Sequence, residues 1–173
     1  LSYRVFYFER EHWGGWKPPA QYPAQALAVA TTHDLPTLVG YWEGADIETR
    51  SALGLFPSED ARQAMWADRQ REKSGILAAL KSDGLLPSWV SDDPVHTPTM
   101  TPELVDCIHQ YLARSPAWMV LANLEDMIGT RLQTNLPGTV DQHPNWCRKL
   151  SATVEDLTQD SRPERLAALL RLT

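Results

Sequence analysis

The sequence has 173 residues, enough for one domain with a sizeable core. With 43% hydrophobic and 22% charged residues it has the composition of an ordinary soluble globular chain. The net charge of -6 excludes the basic stripe a nucleic-acid surface needs, and no long apolar run or signal peptide points to a membrane or to secretion.

Cys107 and Cys147 lie far apart and match no metal or redox spacing, so we read them as reduced thiols of a cytoplasmic protein. The chain has seven tryptophans. Indole rings fill cores, and they also offer flat platforms on which the C–H faces of sugar rings stack. The first residue is Leu rather than Met and opens directly on strand-like sequence. We read this as a start within a larger protein.

Leu1 to Phe8 is rich in aromatic and β-branched residues and predicts a strand. Glu9, Arg10 and Glu11 follow as a solvated loop. His12 to Pro23 carries Gly14-Gly15, Pro18-Pro19 and Tyr22-Pro23 and reads as an irregular loop displaying Trp13 and Trp16, a candidate for ligand contact. A second strand spans Ala26 to Thr31. It feeds a helix over Leu35 to Trp42, with Pro36 suited to the first turn and a break at Gly44. A short helix covers Ala45 to Leu53. Ser58 caps a long helix with Glu59 and Asp60 in its first turn, where the dipole favours them. Met65, Trp66, Ile76, Leu77 and Leu80 supply its apolar positions, and Arg69, Arg71, Glu72 and Lys73 read as its solvated face. The exit is at Asp83-Gly84.

Leu85 to Thr99 is a proline-rich connector. Thr101 caps the next helix, with Pro102 at its first position and an apolar face of Leu104, Val105, Ile108, Tyr111 and Leu112. Ala117 to Asn123 predicts a short buried strand, and Leu124 to Ile128 one helical turn ended by Gly129. A polar loop runs from Thr134 to Trp146. Ser161 caps a last amphipathic helix over Arg162 to Thr173, through Leu166, Leu169 and Leu170. Strands alternating with helices imply a parallel sheet. Three strands cannot close a barrel and leave a raw edge and an exposed apolar face.

The chemistry gathers at Thr31-Thr32-His33-Asp34-Leu35-Pro36-Thr37, where a strand stops and a helix begins. In an α/β barrel, catalytic groups collect at this rim. A carboxylate here has several possible roles: helix N-cap, general base with His33 as partner, metal ligand, or a fixed negative charge for an oxocarbenium-like transition state. The metal role is disfavoured because His96, His109 and His143 lack ligand spacing. Residue chemistry alone does not separate the rest.

Thr32-His33-Asp34-Leu35-Pro36-Thr37, followed by Gly40-Tyr41-Trp42 and Asp46-Ile47, resembles the bacterial 4-alpha-glucanotransferases, or amylomaltases, of glycoside hydrolase family seventy-seven. Leu1 to Val5 through Phe8-Glu9-Arg10, with Pro18-Pro19 and Tyr22-Pro23, resembles the family's preceding strand. Asn135-Leu136-Pro137-Gly138-Thr139 through His143-Pro144-Asn145-Trp146 and Arg148-Lys149-Leu150 resembles its C-terminal loop. The matches span nearly the whole chain in order.

The resemblance implies an α/β, helix-rich fold: residues 1–173 would be the C-terminal part of a (β/α)8 TIM barrel, with about three parallel strands, six to eight, and the terminal helices. It implies retaining transfer of α-1,4-glucan segments between maltooligosaccharides, through an aspartate nucleophile and a glutamate acid/base. By motif position Asp34 is the third, transition-state-stabilising carboxylate. His33 and Asn135 map to sugar-binding positions. No metal or organic cofactor is implied, and the partners are the glucan and the remainder of the barrel. Nucleophile and acid/base belong to strands preceding Leu1, so the isolated chain is expected to be inactive. Glu125-Asp126-Met127-Ile128-Gly129 is similar to the family's acid/base signature but has one extra residue and follows the wrong strand, so we read a helix start. The alternatives are a non-catalytic α-glucan-binding module that keeps Trp13, Trp16, His33 and Asn135, and an α-amylase-like hydrolase. The Asn-Leu-Pro-Gly-Thr loop speaks for the transferase.

Overall fold

The computed structural model describes residues 1–171. Pairing of the first strand stops at Val5, short of the expected Phe8: β1 is Ser2–Val5, and Phe6–Phe8 coil into a 3-10 turn. That turn buries Phe6 and Tyr7. β2 is Ala26–Val29 and β3 is Met119–Leu121. The three strands are parallel in the order β1-β2-β3, as the strand–helix alternation predicts.

The register separates two faces. Tyr3, Leu27 and Met119 lie side by side, and Val5, Val29 and Leu121 form the next row on the same face. The opposite face carries Arg4, Ala28 and Val120. Ala28 joins the main core with Phe6, Leu38, Trp42, Leu77, Ile108 and Leu112. The Tyr3–Met119 row faces solvent, so β3 is half exposed rather than buried, with Met119 at 44% and Leu121 at 50%.

The corner after β2 is longer than expected. Leu35 N–H bonds to Thr32 carbonyl at 3.1 Å and closes a turn. Helix α1, Leu38–Glu43, therefore begins three residues later than the expected Leu35. Its cap is Thr37, whose hydroxyl accepts from Gly40 N–H at 3.0 Å. Asp34 does not cap this helix. Gly44 turns the chain into α2, Ala45–Ala52.

Helix α3, Glu59–Ser82, begins at Ser58 as expected, with the hydroxyl accepting from Ala61 N–H. Its charged run is not a solvated face. Arg69 and Lys73 are each only 4% exposed. The Arg69 guanidinium grips Asp46 through two bonds of 2.9 and 2.8 Å and lies over the Tyr41 ring at 3.8 Å. Lys73 Nζ stands 4.8 Å from the Trp42 ring. Positions 69, 73, 76, 77 and 80 share one helical face. The apolar stripe thus continues backward into two cations whose stems pack while their charges find partners. Glu9 is likewise buried, not loop surface, between Arg4 at 3.2 Å and Lys17 at 2.8 Å.

Helix α4, Pro102–Ala113, has the expected Thr101 cap and buries the expected face. Helix α5, Leu124–Met127, is the single turn before Gly129. Helix α6 is Val154–Gln159 and α7 is Ser161–Arg171. Ser161 is the first residue of α7 rather than its cap. Asp160 takes that role, accepting from Arg162 N–H at 2.8 Å, because its carboxylate also grips the Arg162 guanidinium. Leu166 is buried. The predicted continuation of this helix over Leu172 and Thr173 lies outside the described residues.

Candidate functional site

β2 ends in a corner whose lower half is buried and whose upper half is open. Thr31 is buried, and His33 and Asp34 are exposed. The corner is held from below by the segment after β3. Thr31 hydroxyl donates to Asp126 Oδ2, Asn123 Nδ2 donates to Thr31 carbonyl and hydroxyl at 2.7 Å, and Leu38 N–H donates to Asp126 Oδ1 at 2.6 Å. One carboxylate thus satisfies the first amide of α1 and the buried hydroxyl two residues past β2. Thr37 hydroxyl adds a 2.6 Å bond to Thr130 carbonyl. Burial raises the Asp126 carboxyl to about 6, against the lowering influence of the Thr31 and Leu38 donors.

Asp34 stands on this base with its side chain 49% exposed. Asn135 Nδ2 donates to Asp34 Oδ1 at 2.6 Å, and His33 Nε2 lies 3.4 Å from Asp34 Oδ2. Both carboxylate oxygens are therefore oriented. Asn135 N–H also bonds to His33 carbonyl at 3.1 Å. So the adjacent His33 and Asp34 meet Asn135, 101 positions further along the chain, in one constellation.

The loop that delivers Asn135 is itself pinned. Asn145 accepts from Leu136 N–H at 2.9 Å and donates to Thr139 hydroxyl at 2.9 Å. Trp146 follows at φ 61, an uncommon backbone state for a bulky residue, and its N–H bonds to Thr134 carbonyl at 3.1 Å. This places the Trp146 ring 4.9 Å from the His33 ring at an interplanar angle of 49°. Sequence reading gave Trp146 no role in the site. Its only signal was membership of the His-Pro-Asn-Trp stretch, and only the fold shows its contact with His33.

His33, Thr32, Asn123, Glu125, Thr134 and Trp146 line a cleft of about 170 Å³. Glu125 is in the first turn of α5, as its dipole reading requires, and also opens on the cleft, where it accepts from Thr134 hydroxyl at 3.3 Å. The lining has an indole, an imidazole, an amide and one carboxylate, that of Glu125, and the Asp34–Asn135 pair stands beside it rather than in its wall. Such a set can stack on a saccharide ring and hydrogen-bond its hydroxyls. Among the described residues no cluster of three or more His, Cys, Asp or Glu is placed to hold a metal ion. No helix of the described residues is long and apolar enough to cross a membrane.

Three parallel strands, a crossover of four helices between β2 and β3, and titratable groups just past the C-terminal end of β2 make this an α/β chain. Residues 1–155 match the family model described as 4-alpha-glucanotransferase, and the chain belongs to that family. It is 33% identical over 151 residues to a 4-alpha-glucanotransferase of Haemophilus influenzae, which covers 87% of this chain and 21% of that relative. It is 32% identical over 162 residues to a 4-alpha-glucanotransferase of Mycobacterium bovis, covering 89% and 21%. The crystal structure of amylomaltase from Corynebacterium glutamicum superposes with a TM-score of 0.85 at 28% identity, over 98% of this chain and 25% of that one. The fold is thus part of a TIM barrel, carrying three of its parallel strands and several helices. The chain spans about a fifth of the length of the curated relatives it matches.

Proposed function

We propose that the complete protein carrying this chain is a cytoplasmic 4-alpha-glucanotransferase that moves α-1,4-glucan segments between maltooligosaccharides with retention of configuration. Residues 1–173 form strands six to eight of its barrel and the terminal helices. An aspartate from the rest of the barrel attacks the anomeric carbon while a glutamic acid protonates the leaving oxygen. A glycosyl ester forms. The glutamate then takes the proton of an acceptor hydroxyl, which attacks the same carbon and releases the aspartate. In this scheme Asp34 holds ring hydroxyls and stabilises the positive charge of the transition state, and His33 and Asn135 bind the sugar. The reaction needs no metal or organic cofactor. The isolated chain is inactive because the two groups that make and break bonds come from strands outside it.

The observation that carries this reading is the Asp34 carboxylate itself, half exposed at the end of β2 and oriented on both oxygens by Asn135 and His33. A preoriented charge pays no reorganisation cost as the transition state forms. The solvent-facing row of Tyr3, Leu27 and Met119 supports the same reading, since inward side chains of a closed barrel form such layers.

The test is Asp34→Asn in the complete protein. Glucose release from maltotriose should fall by at least about 10²–10³-fold, the scale of losing one preorganised transition-state contact. The unfolding midpoint should move little, because the Asp34 side chain is half exposed and its bond to Asn135 lies at the surface. Normal turnover by the variant would sink the assignment.

A further inference from the structure

A second cleft lies away from the Asp34 corner, between the loop after β1 and the outer surface of α3, and the two clefts share no lining residue. Its volume is about 350 Å³, within the roughly 300–1,000 Å³ common for small-molecule sites. The loop over it is a stiff hairpin. Arg10 and Trp16 form an antiparallel bridge, Glu11 N–H bonds to Gly15 carbonyl at 2.8 Å, and Gly14 N–H returns to Glu11 carbonyl at 2.8 Å. The hairpin sends its two tryptophans to opposite fates. Trp16 is buried in the core under the Arg10 guanidinium, 3.0 Å from its ring centroid. Trp13 is 71% exposed.

Two glycines shape this cleft by close approach. A Cβ on Gly15 would run into the Trp13 ring, so the indole lies against bare backbone there while the residue stays 71% exposed. A Cβ on Gly75 would stand 2.6 Å from Trp16 Cζ3, so α3 can lie directly on the buried indole. Beside Gly75, Ala78 and Ala79 keep the floor shallow. The rim is polar. Arg114 holds the Asp83 carboxylate at 2.7 Å, and Glu11 and the Ser82 hydroxyl border the same space. An exposed indole flanked by two carboxylates, one of them held in place by Arg114, is an arrangement that can recognise a pyranose. The ring's C–H face stacks, and vicinal hydroxyls donate to carboxylates.

We infer that this cleft is a second saccharide site, separate from the Asp34 corner, which holds polymeric α-1,4-glucan on the outer surface of the helical layer. The choice of α-glucan rests on the proposed glucan-transfer function. The stacking platform is Trp13, and Glu11 and Asp83 accept from the sugar hydroxyls. Such a site anchors a polymer while its free end is processed elsewhere, so it matters for long chains and not for maltotriose.

The test uses the complete protein in native gels with and without soluble starch, alongside maltotriose disproportionation. The wild type should be retarded by starch. Trp13→Ala should weaken that retardation by roughly tenfold, as expected for losing one aromatic platform. Trp13→Phe, which keeps a flat ring, should retain most of it. Maltotriose turnover should stay within about twofold in both, because Trp13 borders no part of the other cleft. Equal retardation of Trp13→Ala and wild type, no retardation of the wild type, or a parallel loss of maltotriose turnover would each overturn the inference. A wild type that is retarded through Trp13 but transfers nothing from maltotriose would leave this site standing and remove the transferase reading.

Discussion

Asp34 and Asp46 are both carboxylates beside a base, and their settings are opposite. Asp34 is half exposed, 3.4 Å from an imidazole, and bonded to an amide that comes from a loop. Asp46 is 7% exposed and locked by the two Arg69 bonds, with Tyr41 stacked between that guanidinium and Tyr7. Glu72 extends the buried group outward, accepting from Tyr41 hydroxyl and from Arg10 at 3.2 Å. The first pair leaves lone pairs free for a ligand. The second spends all its charge on joining α2, α3 and the loop after β1. The difference shows that a charged residue in this chain is assigned by what surrounds it in space, since the partners that decide each case, Asn135 and Arg69, are remote in sequence.

The sharpest way to break the comparison is Arg69→Ala. It leaves Asp46 charged, buried and unpaired, and should cost about 3–5 kcal/mol of stability in urea unfolding of the complete protein. The double change Arg69→Met with Asp46→Leu removes both charges and should recover most of that loss, because a buried pair replaced by apolar groups of similar volume is often near neutral. A cost below about 1 kcal/mol for Arg69→Ala would mean that the pair does not join these elements as described.

A second test concerns the base under the active corner. Asp126 has a carboxyl raised from 3.8 to about 6 by burial. Between those values the folded chain holds a proton that the unfolded chain has released. Its contribution to stability is therefore fully present below about pH 4 and is lost as pH rises through about 6, by on the order of 3 kcal/mol. Asp126→Asn should remove this part of the pH dependence in unfolding measured across that window. An unchanged pH profile in the variant would show that another group sets the slope.

Much of this was legible locally. The His-Asp corner, the α4 face, the Thr101 cap and the parallel order follow from short-range pattern, because caps, turns and periodicity act within a few residues. The meeting of Asp34, His33 and Asn135 came only through family resemblance, since no spacing rule joins residues about a hundred positions apart. What escaped was long-range burial of charge. Asp126 fits a helix dipole well enough that nothing in its neighbourhood discloses its bonds to Thr31 and Leu38, some ninety positions away. Arg69 and Lys73 did carry a signal, the helical spacing they share with Ile76 and Leu80, but their charge argued for solvent.

Within that same run the smallest effect is the most diagnostic. Arg71 lies two positions from Arg69, on the opposite side of α3, with its side chain 72% exposed and paired with Asp68 one turn away. An exposed pair of this spacing gains little Coulomb energy in water and loses side-chain entropy when it forms. Arg71→Ala should therefore shift stability by no more than about 0.5 kcal/mol, and raising the salt concentration should shrink even that. If Arg71→Ala instead cost as much as Arg69→Ala, α3 would have to be rotated on its axis from the orientation described, because one helical face cannot hold both side chains.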